Sequence, residues 1–326
     1  MSESWNRREF IKRAAAGTAI LGTTAGISIA ASDSGRKESD KKAIINQVRD
    51  FTAVKTDKRP LLIVSNGSPE KALKAAITKL GGIEKFISKG DTVVLKPNIG
   101  WDRTPVQAAN TNPIVVKTMV ELCFKAGAKE VIVTDNSCND PARCFTRSGI
   151  WKLAEQAGAE IILPAEHRFS DFNLGGVILG TMPVLTPAVH CDKFINMPIA
   201  KHHGLSKFTG AMKNLYGVLG GRRNRLHQSV DDSIADLADF IRPTLTVMDA
   251  TRVLMQNGPQ GGNISDTKQL NKIIVSTDQV AVDAVSCQLI GLTPGQLPYL
   301  KKAQDRNLGI SDISKIEVVE IFDEQG

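Results

Sequence analysis

Lys201, His202, His203, Lys207, Lys213 and Asn214 fall within positions 201–217 and offer two adjacent imidazoles, three ammonium groups and a side-chain amide. Lysines and amides of this kind can hold a carboxylate or phosphate while an imidazole transfers a proton. A lysine crowded by like charges has its charged form disfavoured, which makes it basic or nucleophilic near neutral pH. From Asp192 to His227 the chain carries seven Lys or Arg against one acid, and His190 and His227 bracket the segment, so four of the five histidines lie in or beside it. The bland alternative is a solvated loop whose charges face water, and spacing alone does not separate the two. If the segment were helical, Lys213 would lie about three turns from His202, so a bend has to bring them together.

Other candidates sit where apolar runs end. Lys96 and Asn98 close the strand-like run at Thr92–Lys96, Asp135 follows Val131–Thr134, and Asp249 follows Leu245–Met248. Asn257 and Gly258 open a turn-rich stretch through Gly262, whose backbone N–H groups could converge as an anion nest. Asp278 reads most simply as a helix N-cap. Asp283, set among Val280, Ala281, Val282, Ala284 and Val285, needs a partner if buried; it either pairs with a pocket lysine or faces solvent. The catalytic candidates are His202, Lys213 and Asp249, with His202 moving the proton. The substrate-binding candidates are Lys96, Asn98, Lys201, Asn214, Asn257 and Gly258.

The elements that must position these residues alternate. Leu61–Val64 reads as a buried strand, and Ser68-Pro69-Glu70 opens a helix through Leu80. Asn112-Pro113 starts a helix that buries Val115, Met119 and Leu122 on one face. Strands follow at Val131–Thr134 and Glu160–Leu163, with a helix near Ile150–Ala157 between them. Later come Lys193–Pro198, a helix at Asp231–Ile241, Leu245–Met248, Ile273–Ser276 and a helix from Gln279 to Ile290. This rhythm predicts an α/β fold with a doubly wound, mostly parallel sheet, whose ligands gather at the carboxyl ends of its strands. Lys96, Asn98, Asp102 and Asp135 then share one rim. Residues 165–190, with Gly175-Gly176, Pro183 and Pro187, break the rhythm as an irregular inserted lobe or hairpin.

The chain has 326 residues, 42% of them hydrophobic, enough for a real core. Residues 1–31 are set apart: Asn6-Arg7-Arg8-Glu9-Phe10-Ile11-Lys12 leads into a mildly apolar run ending in Ser28-Ile29-Ala30-Ala31, which resembles a twin-arginine export signal. The segment is short and weakly apolar for a membrane anchor. Residues 32–58 read as a polar tether with one short helix at Ala43–Phe51, and a single α/β domain occupies 59–326. These features predict a protein exported by the twin-arginine machinery to the periplasm or another extracytoplasmic space, with no stable membrane anchor after signal removal. The net charge is +7; without residues 1–31 it falls by two, and with only 5% aromatics the surplus does not form a nucleic-acid footprint. The five cysteines lack iron–sulfur or zinc-ribbon spacing. Cys138 and Cys144 could close a small disulfide loop, leaving at least one thiol unpaired.

Taken in order, Val94-Leu95-Lys96-Pro97-Asn98, Asn112-Pro113, Asn196-Met197-Pro198 with Lys201-His202-His203, Met212-Lys213-Asn214-Leu215-Tyr216-Gly217, Asn257-Gly258-Pro259 and Ser276-Thr277-Asp278 through Ala284 resemble the uncharacterised bacterial and archaeal family called domain of unknown function 362. The likeness runs from about Leu61 to Leu292 and implies a fold and a site without a reaction. Many relatives add a ferredoxin-like segment whose cysteines this chain lacks. A fainter likeness is to lactate racemase, through Asp102-Arg103-Thr104-Pro105, where Arg and Thr are exchanged relative to that family's loop. It implies a metal-bearing nucleotide cofactor and paired histidines, for which His202-His203 would be the counterpart. Three readings follow: an exported enzyme acting on a small anionic metabolite, a non-catalytic ligand- or cofactor-binding protein, and a racemase-like isomerase.

Overall fold

The structure is a computed structural model that describes residues 45–46, 49–52 and 60–322. The signal expected at 1–31 lies outside the described residues, as does the tether at 32–58 apart from 45–46 and 49–52. The strands are β1 (Ile45–Asn46), β2 (Arg49–Asp50), β3 (Leu61–Asn66), β4 (Thr92–Pro97), β5 (Glu130–Thr134), β6 (Glu160–Ile162), β7 (Phe169–Asn173), β8 (Thr181–Leu185), β9 (Lys193–Met197), β10 (Ile199–His203), β11 (Lys207–Thr209), β12 (Ile241–Arg242), β13 (Leu245–Leu254), β14 (Thr267–Ser276) and β15 (Glu317–Phe322). The central sheet runs β15-β3-β14-β13-β9-β4-β5-β6, with β10 and β11 joined to it through β13. Along that path only β14 opposes its neighbours, pairing antiparallel with both β13 and β3, while the remaining pairs are parallel. The expected α/β fold with a mostly parallel sheet is therefore the observed one.

Apolar residues cover both faces, as a parallel sheet between helices requires. Alternate residues divide cleanly: Val94, Phe194 and Ile274 belong to one core, and Leu95, Ile195 and Ile273 to the other. The helices Pro69–Lys79, Pro113–Lys125 and Ile150–Gln156 contribute to the second core; Val230–Phe240, Gln279–Ser286 and Pro298–Asp305 contribute to the first. Each fully buried Leu, Ile or Val adds about 1.5–3 kcal/mol, so this two-sided burial holds the strand ends in place.

Four details differ from the sequence reading or complete it. At Ala43–Phe51 the described part forms two short strands instead of a helix: β1 pairs with β7 and β2 with β12. Phe51 stacks on Phe194 at 5.8 Å, an apolar contact that draws this segment onto the body before Arg59. Residues 169–185 form the antiparallel β7–β8 hairpin. Asp249 does not end its strand: β13 runs on to Leu254, with a register irregularity between Ala250 and Arg252. Finally, β15 extends the sheet alongside β3, beyond the last strand read from the sequence.

Candidate functional site

From β4 the chain steps outward to β5 and β6, then returns to place β9 on the other side of β4. That reversal opens a crevice at the carboxyl ends of β4 and β9, the usual ligand position in such sheets. A cavity of about 560 Å³ lies there, lined by Asn98, Lys201, His203, Lys213, Asn214 and His227 among others. Its size suits a small molecule.

Lys96 leaves β4 on the same face as Val94 and meets Asp135, delivered by β5, at 2.7 Å. The pair is almost wholly buried, at 1% and 3% exposure. Asp135 Oδ2 also accepts from Ile99 N at 2.7 Å, and Lys96 Nζ donates to Pro97 O at 3.0 Å. Burial lowers the Lys96 pKa while Asp135 pulls it the other way. Lys96 is thus committed to an internal ion pair. The backbone of Gly217 crosses so close that a β-carbon there would stand 1.8 Å from Asp135 Oδ1 and 2.6 Å from Lys96 Nζ. Glycine is the residue this crossing admits.

Next to the ion pair runs a one-way relay of amides. Lys201 Nζ donates to Asn98 Oδ1 at 3.1 Å, Asn98 Nδ2 to Asn214 Oδ1 at 3.0 Å, Asn214 Nδ2 to Asn196 Oδ1 at 2.8 Å, and Asn196 Nδ2 to Ala211 O at 2.8 Å. Since an ammonium or amine donates and Ala211 O accepts, the two ends fix the orientation of all three amides. Lys201 Nζ also donates to Ala109 O at 2.6 Å. It has no carboxylate partner among the described residues, and burial lowers its pKa to about 7.

Of the stretch 201–217, read as a loop from sequence, residues 201–209 belong to the β10–β11 hairpin, whose first strand begins at Ile199. Strand alternation sends Lys201 and His203 into the cavity and turns His202 away. His202 Nδ1 instead accepts from Gly258 N at 3.1 Å, and His202 is not among the cavity residues. His202, chosen from sequence over its neighbour as the proton-transfer candidate, thus lies off the cavity wall, and the two adjacent imidazoles point apart. A second imidazole does face His203: His227 stacks against it with ring centroids 6.2 Å apart. His203 Nδ1 accepts from Leu205 N at 3.1 Å and Ser206 N at 3.3 Å. Burial first, and then Lys213, hold its pKa down to about 3. A neutral imidazole with Nδ1 occupied as acceptor carries its proton on Nε2.

Lys213 reaches the cavity from the short helix Ala211–Asn214. Its Nζ sits 3.1 Å from the centre of the Tyr216 ring, and it has neither an ion pair nor a hydrogen bond to another described residue. Burial drives its pKa well down, whereas the ring face favours the cation. An entering anion would add to the ring and favour the charge. The helix is held from below by Asp283, which accepts from the backbone N–H groups of Ala211 and Met212. Asp283 therefore neither pairs with a lysine nor faces solvent, as the sequence reading allowed. Burial raises its pKa to about 7, against the pull of those N–H groups.

The remaining candidates lie apart from the cavity. Asp249 accepts from Asn112 N at 2.7 Å and from Thr251 N and Oγ1 at 2.9 and 2.7 Å, tying β13 to the start of helix Pro113–Lys125. Asn257 donates to Asp266 Oδ2 at 2.9 Å, and the Gly258 N–H is spent on His202, so these two offer a ligand no free nest. Their neighbour Pro259 does line the cavity. Asp102 meets Arg143 and Arg147, and Asp278 caps its helix by accepting from Val280 N and Ala281 N.

Several cavity residues were not among the catalytic or substrate-binding candidates read from sequence: His203, His227, Thr209, Tyr216, Trp101, Cys138, Arg222 and Arg223. Alternation from Lys201 would have selected His203 and Thr209. Arg223 is occupied by the carbonyls of Asn136, Ser137 and Tyr216. Cys138 and Cys144 are both free thiols. Among the described residues no group of three or more His, Cys, Asp or Glu is arranged to hold a metal ion, and no helix is long and apolar enough to cross a membrane.

The chain is 26% identical over 253 residues to the thylakoid-associated protein sll1697 of Synechocystis sp., covering 75% of this chain and 76% of that one. Among solved structures, the lactate racemase apoprotein from Thermoanaerobacterium thermosaccharolyticum aligns with a TM-score of 0.43 at 14% identity. That alignment covers 75% of this chain and only 59% of the racemase. The profile of one family matches residues 93–288, more than half of the chain, and the protein belongs to that family, described as Domain of unknown function (DUF362).

Proposed function

We propose that the cavity binds a small organic anion and that the protein is an enzyme moving a proton on it. One observation carries this reading: Lys201 and Lys213 are buried amines on the cavity wall with no carboxylate partner among the described residues. The acid on that wall, Asp135, is already matched by Lys96. Buried cationic groups are ordinarily paired, so an anionic ligand completes the site. Lys213 supplies charge, neutral His203 donates its Nε2–H, and Lys201, with its pKa near 7, is matched to proton transfer at physiological pH.

Isothermal titration with acetate, succinate, 2-oxoglutarate, pyruvate and inorganic phosphate tests the binding part. At least one should bind, and Lys213→Gln should weaken it by about tenfold or more, the worth of a charge-assisted hydrogen bond. Absence of binding by every member, or an unchanged affinity in that variant, would sink the reading.

We further propose export by the twin-arginine route. Arg7-Arg8 ahead of a mild apolar run supports it, and the relative named for the thylakoid is compatible with it. A reporter fused to residues 1–31 should leave the cytoplasm, and a double Arg7→Lys, Arg8→Lys change should retain it there.

A further inference from the structure

The ligand can be narrowed from the hydrogen-bonding count at Lys201, given the anion-binding reading above. An ammonium has three N–H bonds, whereas a neutral amine has two and a lone pair. The protein gives Lys201 Nζ two acceptors, Asn98 Oδ1 and Ala109 O, both fixed: one belongs to the amide relay and the other to the backbone. Those acceptors satisfy the neutral amine. They leave the lone pair in the remaining tetrahedral direction, and Lys201 is a cavity-lining residue. A charged Lys201 would need a third acceptor, which the described residues do not supply.

Directly across from Lys201 in the β10–β11 pairing stands Thr209. It is 3% exposed, it lines the same cavity, and its hydroxyl has no hydrogen-bond partner among the described residues. A buried orphan hydroxyl beside a buried nucleophile is costly unless a ligand uses it.

We propose that Lys201 condenses with the carbonyl of a 2-oxo acid whose carboxylate is held by Lys213, forming an imine. The Nζ lone pair attacks the carbonyl carbon, the C–N bond forms, and the carbonyl π pair moves to oxygen. That oxygen takes one proton from the attacking nitrogen, giving a carbinolamine. The hydroxyl then leaves as water, taking up one proton from solvent while the neutral His203 Nε2–H hydrogen-bonds the departing oxygen, and the nitrogen lone pair closes the C=N bond. The nitrogen keeps its remaining proton, so the net change is amine plus carbonyl plus one proton to protonated imine plus water, with no redox partner. Thr209 Oγ1 is also placed to hydrogen-bond the departing oxygen. Protonated, the imine draws electrons from the bond next to it, which is what a proton transfer at the neighbouring carbon requires.

The test treats the full chain with pyruvate or 2-oxoglutarate and sodium cyanoborohydride, followed by intact mass measurement and peptide mapping. The expected result is one reduced adduct per chain, on Lys201, absent in Lys201→Gln and requiring about tenfold more acid in Lys213→Gln. In parallel, calorimetry with the same acids and their 2-hydroxy counterparts reads the anion site without any carbonyl chemistry. Binding without an adduct would overturn the imine and leave the anion site standing. An adduct mapped to Lys213 or to surface lysines instead of Lys201 would overturn the assignment, and failure of both oxo acids to bind would overturn it together with the anion reading for this class.

Discussion

Asn98 donates from Nδ2 to Asn214 Oδ1 at 3.0 Å, and that one contact joins the end of β4 to the short helix carrying Lys213. The two amides come from positions 116 residues apart in the chain. They are the midpoint of the relay that orients the acceptor of Lys201, so the cavity wall is as rigid as this bond.

Replacing Asn214 by Leu keeps the branching and heavy-atom count of the side chain and removes the relay's centre. Asn98 Nδ2 loses its acceptor, and Asn196 Oδ1 and Lys96 O lose a donor. Each stranded buried group costs about 1–3 kcal/mol, so urea unfolding should show a loss of at least about 3 kcal/mol. A loss under about 1 kcal/mol would mean that the relay does not hold the wall together.

The two adjacent histidines should behave differently. His203→Ala removes a donor from the cavity and should weaken binding of the panel acid that binds best by about tenfold, one hydrogen bond's worth. His202→Ala touches only the loop at Gly258 and should change that affinity by less than about twofold. Calorimetry on the pair decides which imidazole faces the ligand.

Stability should rise with pH across a defined window because of Lys201. Its folded pKa is about 7 against 10.5 for an exposed lysine. Between those values the unfolded chain binds one more proton than the folded one, so raising the pH favours folding. Below the window both states are charged, and above it both are neutral, so the contribution is flat there. The slope for one proton is about 1.4 kcal/mol per pH unit. Subtracting the unfolding free energies of Lys201→Met from those of the wild type should isolate it, because the other titrations are shared. A flat difference curve would show that Lys201 stays charged in the fold.

Gly217→Ala should be severe and Gly180→Ala mild. The first sets a β-carbon 1.8 Å from Asp135 Oδ1, while the second meets nothing within 4 Å. Breaking a buried ion pair costs about 3–5 kcal/mol. Thermal unfolding of both variants gives the contrast, and equal midpoints would contradict the close crossing at the Lys96–Asp135 pair.

The chain's local chemistry determined the framework. Apolar runs four to six residues long between helical segments could only become buried strands, and Asn112-Pro113 and Asp278 announce helix starts by capping rules that need no distant partner. It also determined the neighbourhood of the site, since strands of a doubly wound sheet bring Lys96, Asn98 and the 201–214 stretch to one rim. Which residue of a polar cluster faces the cavity is another matter, because that depends on pairings between residues far apart in sequence. Lys201 pairs with Thr209 across a hairpin, and that register alone separates His203 from His202. Asp249, read as a strand-end acid, is buried mid-strand because β13 continues through an irregularity set by its partner β14. Asp283 found its donors in a helix start 72 residues away. A carboxylate's need for a partner is written in its type; the partner's identity is decided only when the tertiary fold brings the two together.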